Sequence, residues 1–515
     1  MIKTDVFAKY RKTSQGQAMT RKQHKQVVDP RKEALHIDLD HAGKPFPHFW
    51  EKGFGSCHAS ITLSEDWRKD VDTVKKIVDL KHIRFHGIFD KETGFCTGED
   101  EKGNLILNFT RIDQIYDGLL AHCVRPYVEL SFMPPPLGEE IEEAVQGFWY
   151  HPIVAPPKNP TKWFELIQRF AQHLVARYGI DEVSQWLFEV WNEPNIDFLA
   201  GATKKAKQRS YFMLYDLAAH ALKSVDARLK VGGPASAQAA WIPDLIAHCA
   251  LKQTPLDFIS THVYPNDSTM DVFGEELDIS QKDMVVLAVQ KVHAEVKASA
   301  RPDLPIYWSE FNAGFDGKMQ TDSPYAGPWL ASTIARCDGL MEEMMYWTFT
   351  DNMFEEGGPF QRPFSGGFGI IATGSIPKAP FNAFKVLNLL GYERLPVSSE
   401  NAILTRQKDG SIVLAVWNYV APAQKGEELT FDITLSGYDS GLACVHTVDH
   451  QHGNPINAWI EMGSPDFPTP EEQRQLRQAA QLPSATVALV TGGKLSITAQ
   501  PDALIVIQFI NLKKQ

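Results

Sequence analysis

Eight times between about residues 50 and 390 a short apolar run gives way to a stretch of helical period, and nothing else in the chain restricts the fold so strongly. The runs are GFGSCHAS (53–60), HIRFHGIF (82–89), VRPYVELSF (124–132), WLFEVWNEP (186–194), LKVGGP (229–234), LDFISTHVYP (256–265), LPIYWSEFN (304–312) and MMYWTFTD (344–351). Helices are predicted over 64–80, 110–123 and 161–179 and near 204–227, 237–251, 279–299, 326–342 and 378–390. Ser64 reads as the N-cap of the first, with Glu65 and Asp66 favouring its positive end. Strands alternating with helices mean a parallel sheet, and eight such units predict an α/β fold, a (β/α)₈ TIM barrel over 46–394. A doubly wound open sheet competes, but no strand is followed by a GxGxxG or Walker-type loop.

Past residue 395 the period shortens to two. AILTRQKDGSIVLAVWNY (402–419) forms two alternating runs around Asp409-Gly410, a hairpin signal, and ELTFDITLSG, ACVHTVD and KLSITAQPDALIVIQFI continue in short strands. They predict an appended C-terminal β-sandwich over 395–515. Its stretch 452–480 is Pro/Gly-rich and then helical, an insertion expected to pack back on the barrel. Residues 1–45 form a basic arm, with nine Lys or Arg against two acids in 1–32. The expectation is a solvated leader, part of which adds an edge strand to the sandwich.

A net charge of −12 argues against nucleic acid or an anionic membrane as the main partner and suits a neutral substrate. The 17 histidines are scattered along the chain and the six cysteines (57, 96, 123, 249, 337, 444) show no CxxC spacing, so no metal is predicted and reduced thiols are expected. The first 26 residues lack the apolar core of a secretory signal, and no apolar stretch reaches the roughly 20 residues of a membrane span. A cytoplasmic protein is the expectation.

Two of the buried-type strands end in a glutamate: WLFEVWNEP at Glu193, where Pro194 stops the ladder, and LPIYWSEFN at Glu310. In a parallel barrel such tips converge on the face where active sites sit. Two carboxyls facing one another are the equipment of retaining glycoside hydrolysis, one attacking the anomeric carbon and the other protonating the departing oxygen. Glu193 is assigned the acid/base role, Glu310 the nucleophile role, and Asn192 a donor to the sugar 2-hydroxyl. Glu189 shares the strand and parity of Glu193 but lies four residues deeper, so it reads as a buried, hydrogen-bonded group.

WLFEVWNEPN and YWSEFN, with KHIRFHGIF, RPYVELSFMP, VGGPAS, STHVYP, YWTFTDNMFEE, GGFGI and HGNPINAWIEMGSP, together resemble glycoside hydrolase family 39, most of all its bacterial β-xylosidases. The resemblance runs from about residue 50 to the end. It implies a barrel carrying acid/base and nucleophile on strands four and seven, an accessory sandwich, anomeric retention and no cofactor. It also implies that Arg84, His86, His262 and Tyr264 line the pocket around the −1 sugar. Trp347 would floor that pocket, and Glu355 and Glu356 would anchor distal hydroxyls. The expected activity is exo-release of β-D-xylose from the non-reducing ends of xylo-oligosaccharides. Another retaining specificity on the same scaffold, α-L-iduronidase-like or β-glucosidase, and a noncatalytic carbohydrate-binding protein are the alternatives. The chain departs from the family pattern where Gly357-Gly358 replaces the arginine of FEER, in residues 1–45, and in the loop FWYHPIVAPPKNP (148–160).

Overall fold

A computed structural model describes residues 31–141, 144–315, 318–352 and 362–511. Eight of its strands close into a parallel barrel: Gly53–His58, His82–His86, Arg125–Leu130, Leu187–Val190, Lys230–Ser236, Phe258–His262, Ile306–Phe311 and Glu343–Tyr346. The ring is completed where Tyr346 of the eighth strand pairs with Phe54 of the first. The strands are buried on both faces almost throughout, because helices cover the outside and side chains fill the inside. That is why they read in sequence as continuous rather than alternating apolar runs. Low in the barrel Tyr127, Leu187, Phe258 and Met345 form an apolar layer. Nearer the C-terminal mouth the interior changes character, with Arg84, Glu129, Glu189 and Glu310 all buried.

The predicted helices form with shifted ends, each for a local reason. The first spans Glu65–Val74, its start fixed by Ser64 Oγ accepting from the Trp67 amide. Apolar residues continue its pattern, but after Val74 the backbone tightens: the Ile77 amide bonds the Val74 carbonyl three residues back, and the chain turns into the second strand. The helix predicted from 237 begins only at Ile242, because Gln238, Ala239 and Trp241 hold left-handed backbone and make an irregular shoulder beside the barrel mouth. The helix predicted to 342 stops at Cys337, two residues before Gly339, whose φ of +82° favours glycine.

Besides two small two-stranded sheets, ten further strands make one sheet, antiparallel except where Arg31–Asp38 pairs in parallel with Leu429–Ser436. The sheet doubles over on itself. Leu35, Phe431 and Ile433 near one edge share a core with Leu404, Leu414 and Ile507 near the other, and Asn401 donates across to Glu33. Two layers around one core are a β-sandwich. The layer next to the barrel is buried on both faces. Along Ile412–Trp417, residues 412, 414 and 416 enter the sandwich core while 413, 415 and 417 join the barrel's core with Leu504 and Val506.

Between Ser440–Val448 and Thr486–Thr491 the chain forms helices Ile456–Glu461 and Pro470–Ala479, the second opened by a capping box of Thr469 and Glu472. Trp459, Ile456 and Leu476 pack there on Phe364, Ala372 and Ile376, which follow the eighth barrel strand. Of the expected basic arm, residues 1–30 lie outside the described residues. Among the described residues no helix is long and apolar enough to cross a membrane.

Candidate active site

The fourth barrel strand ends at Val190, and beyond it Trp191 and Glu193 take left-handed backbone, at φ +70° and +42°. Such conformations cost about 1–3 kcal/mol each for non-glycine residues. They are held by the Trp191 indole donating to the Phe198 carbonyl (2.6 Å) and by the Glu193 amide donating to the Ala235 carbonyl (2.8 Å). The turn lifts the Glu193 carboxyl over the barrel mouth, leaving it 12% exposed. Glu310, on the seventh strand, stays deeper.

His262, from the sixth strand, stands between the two. Its Nδ1 lies 3.0 Å from Glu193 Oε1 and 3.6 Å from Glu310 Oε1, and all three atoms fall within 4.8 Å of one another. An oxygen of each carboxyl thus lies within 4.8 Å of the other, an approach compatible with the carboxyl separation of about 5–5.5 Å that direct nucleophilic attack uses. The trio's spacing would also suit a cation, and each member is engaged in hydrogen bonds with other protein groups.

Arg84 organises the floor beneath them. It donates from Nη1 to Glu310 (2.6 Å), from Nε to Glu189 (2.6 Å) and from Nη2 to Asn192 Oδ1 (2.9 Å), and Nη2 pairs with Glu129 at 2.7 Å. Burial works against its charge, but Glu129, Glu189 and Glu310 together raise its pKa well above the ordinary value. Burial likewise raises the carboxyl of Glu310, against the pull of Arg84, and that of Glu129 to about 7. Tyr264 donates to the second oxygen of Glu310 at 2.9 Å.

His86 is pushed down to about 3 by burial, with Glu310 pulling the other way and Arg84 adding to the push. It is neutral, and its Nδ1 lies 2.7 Å from Glu129, a bond that asks for the hydrogen on Nδ1. Nε2 then faces the pocket as an acceptor. Asn192 has given its carbonyl oxygen to Arg84, so its amide nitrogen is the end left to donate.

Above this floor lies a pocket of about 240 Å³ lined by His86, Asn192, Glu193, His262, Tyr264, Glu310 and Trp347. Of the residues singled out from the sequence, these seven face it directly, and Arg84 serves it from below. Glu355 and Glu356 lie outside the described residues. His262 lines the pocket with both its ring nitrogens within hydrogen-bond distance of protein groups, Glu193 and Ser309. The fold also brings in groups that sequence reasoning passed over: Phe148, Phe198 and Phe315 as apolar wall, Gln238 and Asp267 as polar lining, and Glu129 beneath, paired with Arg84 and His86. Glu129 carried a usable signal, a carboxylate near the end of the third buried strand. The aromatics sit in loops, where no periodicity marks them.

Two carboxyls so placed at the C-terminal mouth of a (β/α)₈ barrel are the equipment of a glycoside hydrolase. The chain belongs to glycosyl hydrolases family 39, whose model matches residues 33–495. It is 37% identical over 452 residues to a β-xylosidase of Caldicellulosiruptor saccharolyticus, covering 85% of this chain and 90% of that one. A β-xylosidase of Geobacillus stearothermophilus is 35% identical over 459 residues, covering 87% and 88%. Among solved structures, the GH39 enzyme of Xanthomonas axonopodis pv. citri superposes with a TM-score of 0.82 at 31% identity, covering 95% of this chain and 98% of that one.

Proposed function

We propose that this protein is a retaining, exo-acting β-xylosidase that releases β-D-xylose from the non-reducing ends of xylo-oligosaccharides. The observation that carries the reading is the approach of the Glu193 and Glu310 carboxyls to within 4.8 Å over a small pocket. A volume of about 240 Å³ is modest beside the roughly 300–1,000 Å³ of pockets for drug-sized ligands, and suits one sugar ring held at a chain end. Among the described residues that line it there are three acids and no lysine or arginine, so a neutral pentose fits better than a uronate.

In this reading Glu310 attacks the anomeric carbon while the bond to the leaving oxygen breaks, and Glu193 delivers its proton to that oxygen. The xylosyl ester on Glu310 is then displaced by a water that gives a proton back to Glu193. Two inversions leave the configuration unchanged. Arg84 and Tyr264 hold Glu310 in one rotamer. Asn192 donates to the 2-hydroxyl, His86 Nε2 accepts from a second hydroxyl, and Trp347 offers an apolar floor. The six cysteines, all free thiols and four of them buried, support work in a reducing compartment such as the cytoplasm.

Proton NMR of the anomeric signals during the first minutes of xylobiose digestion tests the proposal. β-Xylose is expected before mutarotation builds the α form. Initial α-xylose would exclude double displacement, and no cleavage would transfer the search to glucosides and uronides.

A further inference from the structure

Ser309 sits on the seventh barrel strand one residue before Glu310, fully buried, and is not among the residues that line the pocket. It nevertheless connects two carboxylates through an imidazole. Its Oγ donates to Glu189 Oε1 at 2.7 Å and lies 3.0 Å from His262 Nε2, while His262 Nδ1 lies 3.0 Å from Glu193 Oε1.

Counting hydrogens along this chain fixes its direction. Glu189, ion-paired through its other oxygen with Arg84 at 2.6 Å, can only accept. Ser309 has one hydrogen, and the short charge-assisted bond to Glu189 claims it. Toward His262 it therefore presents a lone pair, so Nε2 must carry the imidazole hydrogen. His262 is fully buried, with Arg84 and His86 nearby opposing a second proton, and its ring stays neutral. Nδ1 is then an acceptor. Two acceptors 3.0 Å apart repel, so the hydrogen between Nδ1 and Glu193 has to sit on the carboxyl. The charged and titratable groups facing His262 are thus Glu193, Glu310, Arg84 and His86, with Glu189 acting through Ser309.

The opposite polarity exists on paper: Ser309 turns to His262, Nδ1 donates to Glu193, and Glu193 is ionised. It deprives buried Glu189 Oε1 of its shorter bond and leaves it only Tyr127, at 3.2 Å. We propose that Ser309 is a positioning residue that locks His262 in the Nε2–H tautomer and thereby keeps Glu193 protonated, ready to act as the acid. The inference rests on the acid/base reading of Glu193.

Nitrogen-15 NMR of the histidine-labelled full chain, with His262 assigned by its loss in His262→Gln, reads the tautomer without recourse to activity. The expected wild-type signal near neutral pH is Nε2–H. In Ser309→Ala the ring should move to Nδ1–H, and the basic limb of kcat/KM on xylobiose should fall by about one pH unit, tenfold in proton affinity. Ser309→Thr, which keeps the hydroxyl, should restore both. Tyr127→Phe removes the other donor to Glu189 Oε1 without touching His262, and should leave the limb where it is. A wild-type Nδ1–H signal, an unmoved limb in Ser309→Ala, or an equal shift in Tyr127→Phe would each overturn the proposal. If Ser309→Ala does not fold, the wild-type spectrum decides. A failure of Glu193 to discriminate leaving groups would instead sink the acid/base reading, and the tautomer spectrum would still report on Ser309.

Discussion

Arg84 donates from Nη1 to Oε1 of Glu310 across 2.6 Å, at full burial. The same guanidinium faces Glu189 and Glu129, so its removal would strand three buried carboxylates around one vacated site. Arg84→Met is expected to cost about 3–5 kcal/mol of stability. Arg84→Lys should recover only part of it, because a point charge cannot serve diverging acceptors as the planar fork does. Urea midpoints of the three proteins check this, and equal midpoints would mean that the carboxyls are neutral in the folded state.

Glu310→Ala should reduce turnover by several orders of magnitude while the protein stays folded and still binds xylose, since the lost group acts on the reacting carbon. Activity on an aryl xyloside and binding by calorimetry separate the two effects. Normal turnover would remove Glu310 from the nucleophile role.

Glu193→Ala should slow xylobiose cleavage by about 10²–10⁴-fold, the usual scale of general acid catalysis. Aryl xylosides whose leaving groups need no proton should lose much less in the glycosylation step. Equal losses on both substrate types would count against the acid/base role.

The buried histidines give a signed pH dependence of stability. His86, at about 3 against an ordinary 6.5, is neutral when folded and gains a proton when unfolded. Its contribution is therefore whole above pH 6.5 and is lost as the pH falls toward 3. Glu129 runs the other way: raised from 4.5 to about 7, its contribution is whole below pH 4.5 and is lost as the pH rises through 7. Denaturation midpoints measured between pH 4.5 and 8 should fall on the acid side less steeply in His86→Asn than in the wild type. Parallel slopes would show that His86 is not held neutral.

Gly55, on the first strand, lies against the Trp347 ring, which a Cβ at that position would overlap. Gly55→Ala should displace the indole from beneath the pocket, raising KM for xylobiose several-fold with a smaller change in kcat. Near-UV circular dichroism reports the movement of the ring, and an unchanged KM would deny Trp347 its place under the sugar.

The barrel was legible because burial on both faces leaves its mark on each strand separately. An apolar run such as LFEV or FISTH is explained by its own surroundings, and eight of them in alternation leave few topologies. Helix ends were less legible. Val74 and Ile242 are set by tight turns and left-handed residues whose conformations answer to neighbouring strands, not to local propensity. The strand Ile412–Trp417 shows the same limit: its unbroken burial arises because one face meets the sandwich core and the other the barrel, and either partner alone would leave half of it exposed.

By itself the sequence determined that glutamates stand at the C-terminal ends of two strands of one barrel, although the fourth strand stops at Val190, three residues short of Glu193, and Glu310 lies within Ile306–Phe311. It determined this because apolar runs buried on both faces and the alternation of strand with helix are local facts of the chain. Only the tertiary structure decided which groups surround those carboxyls. Arg84, Glu129, Glu189, His262 and Ser309 come from five different strands, and their hydrogen-bond order depends on distances of 2.6–3.0 Å that no spacing along the chain encodes. Whether Glu193 carries a proton is a property of that closed ring of contacts, and exists only once the barrel has shut.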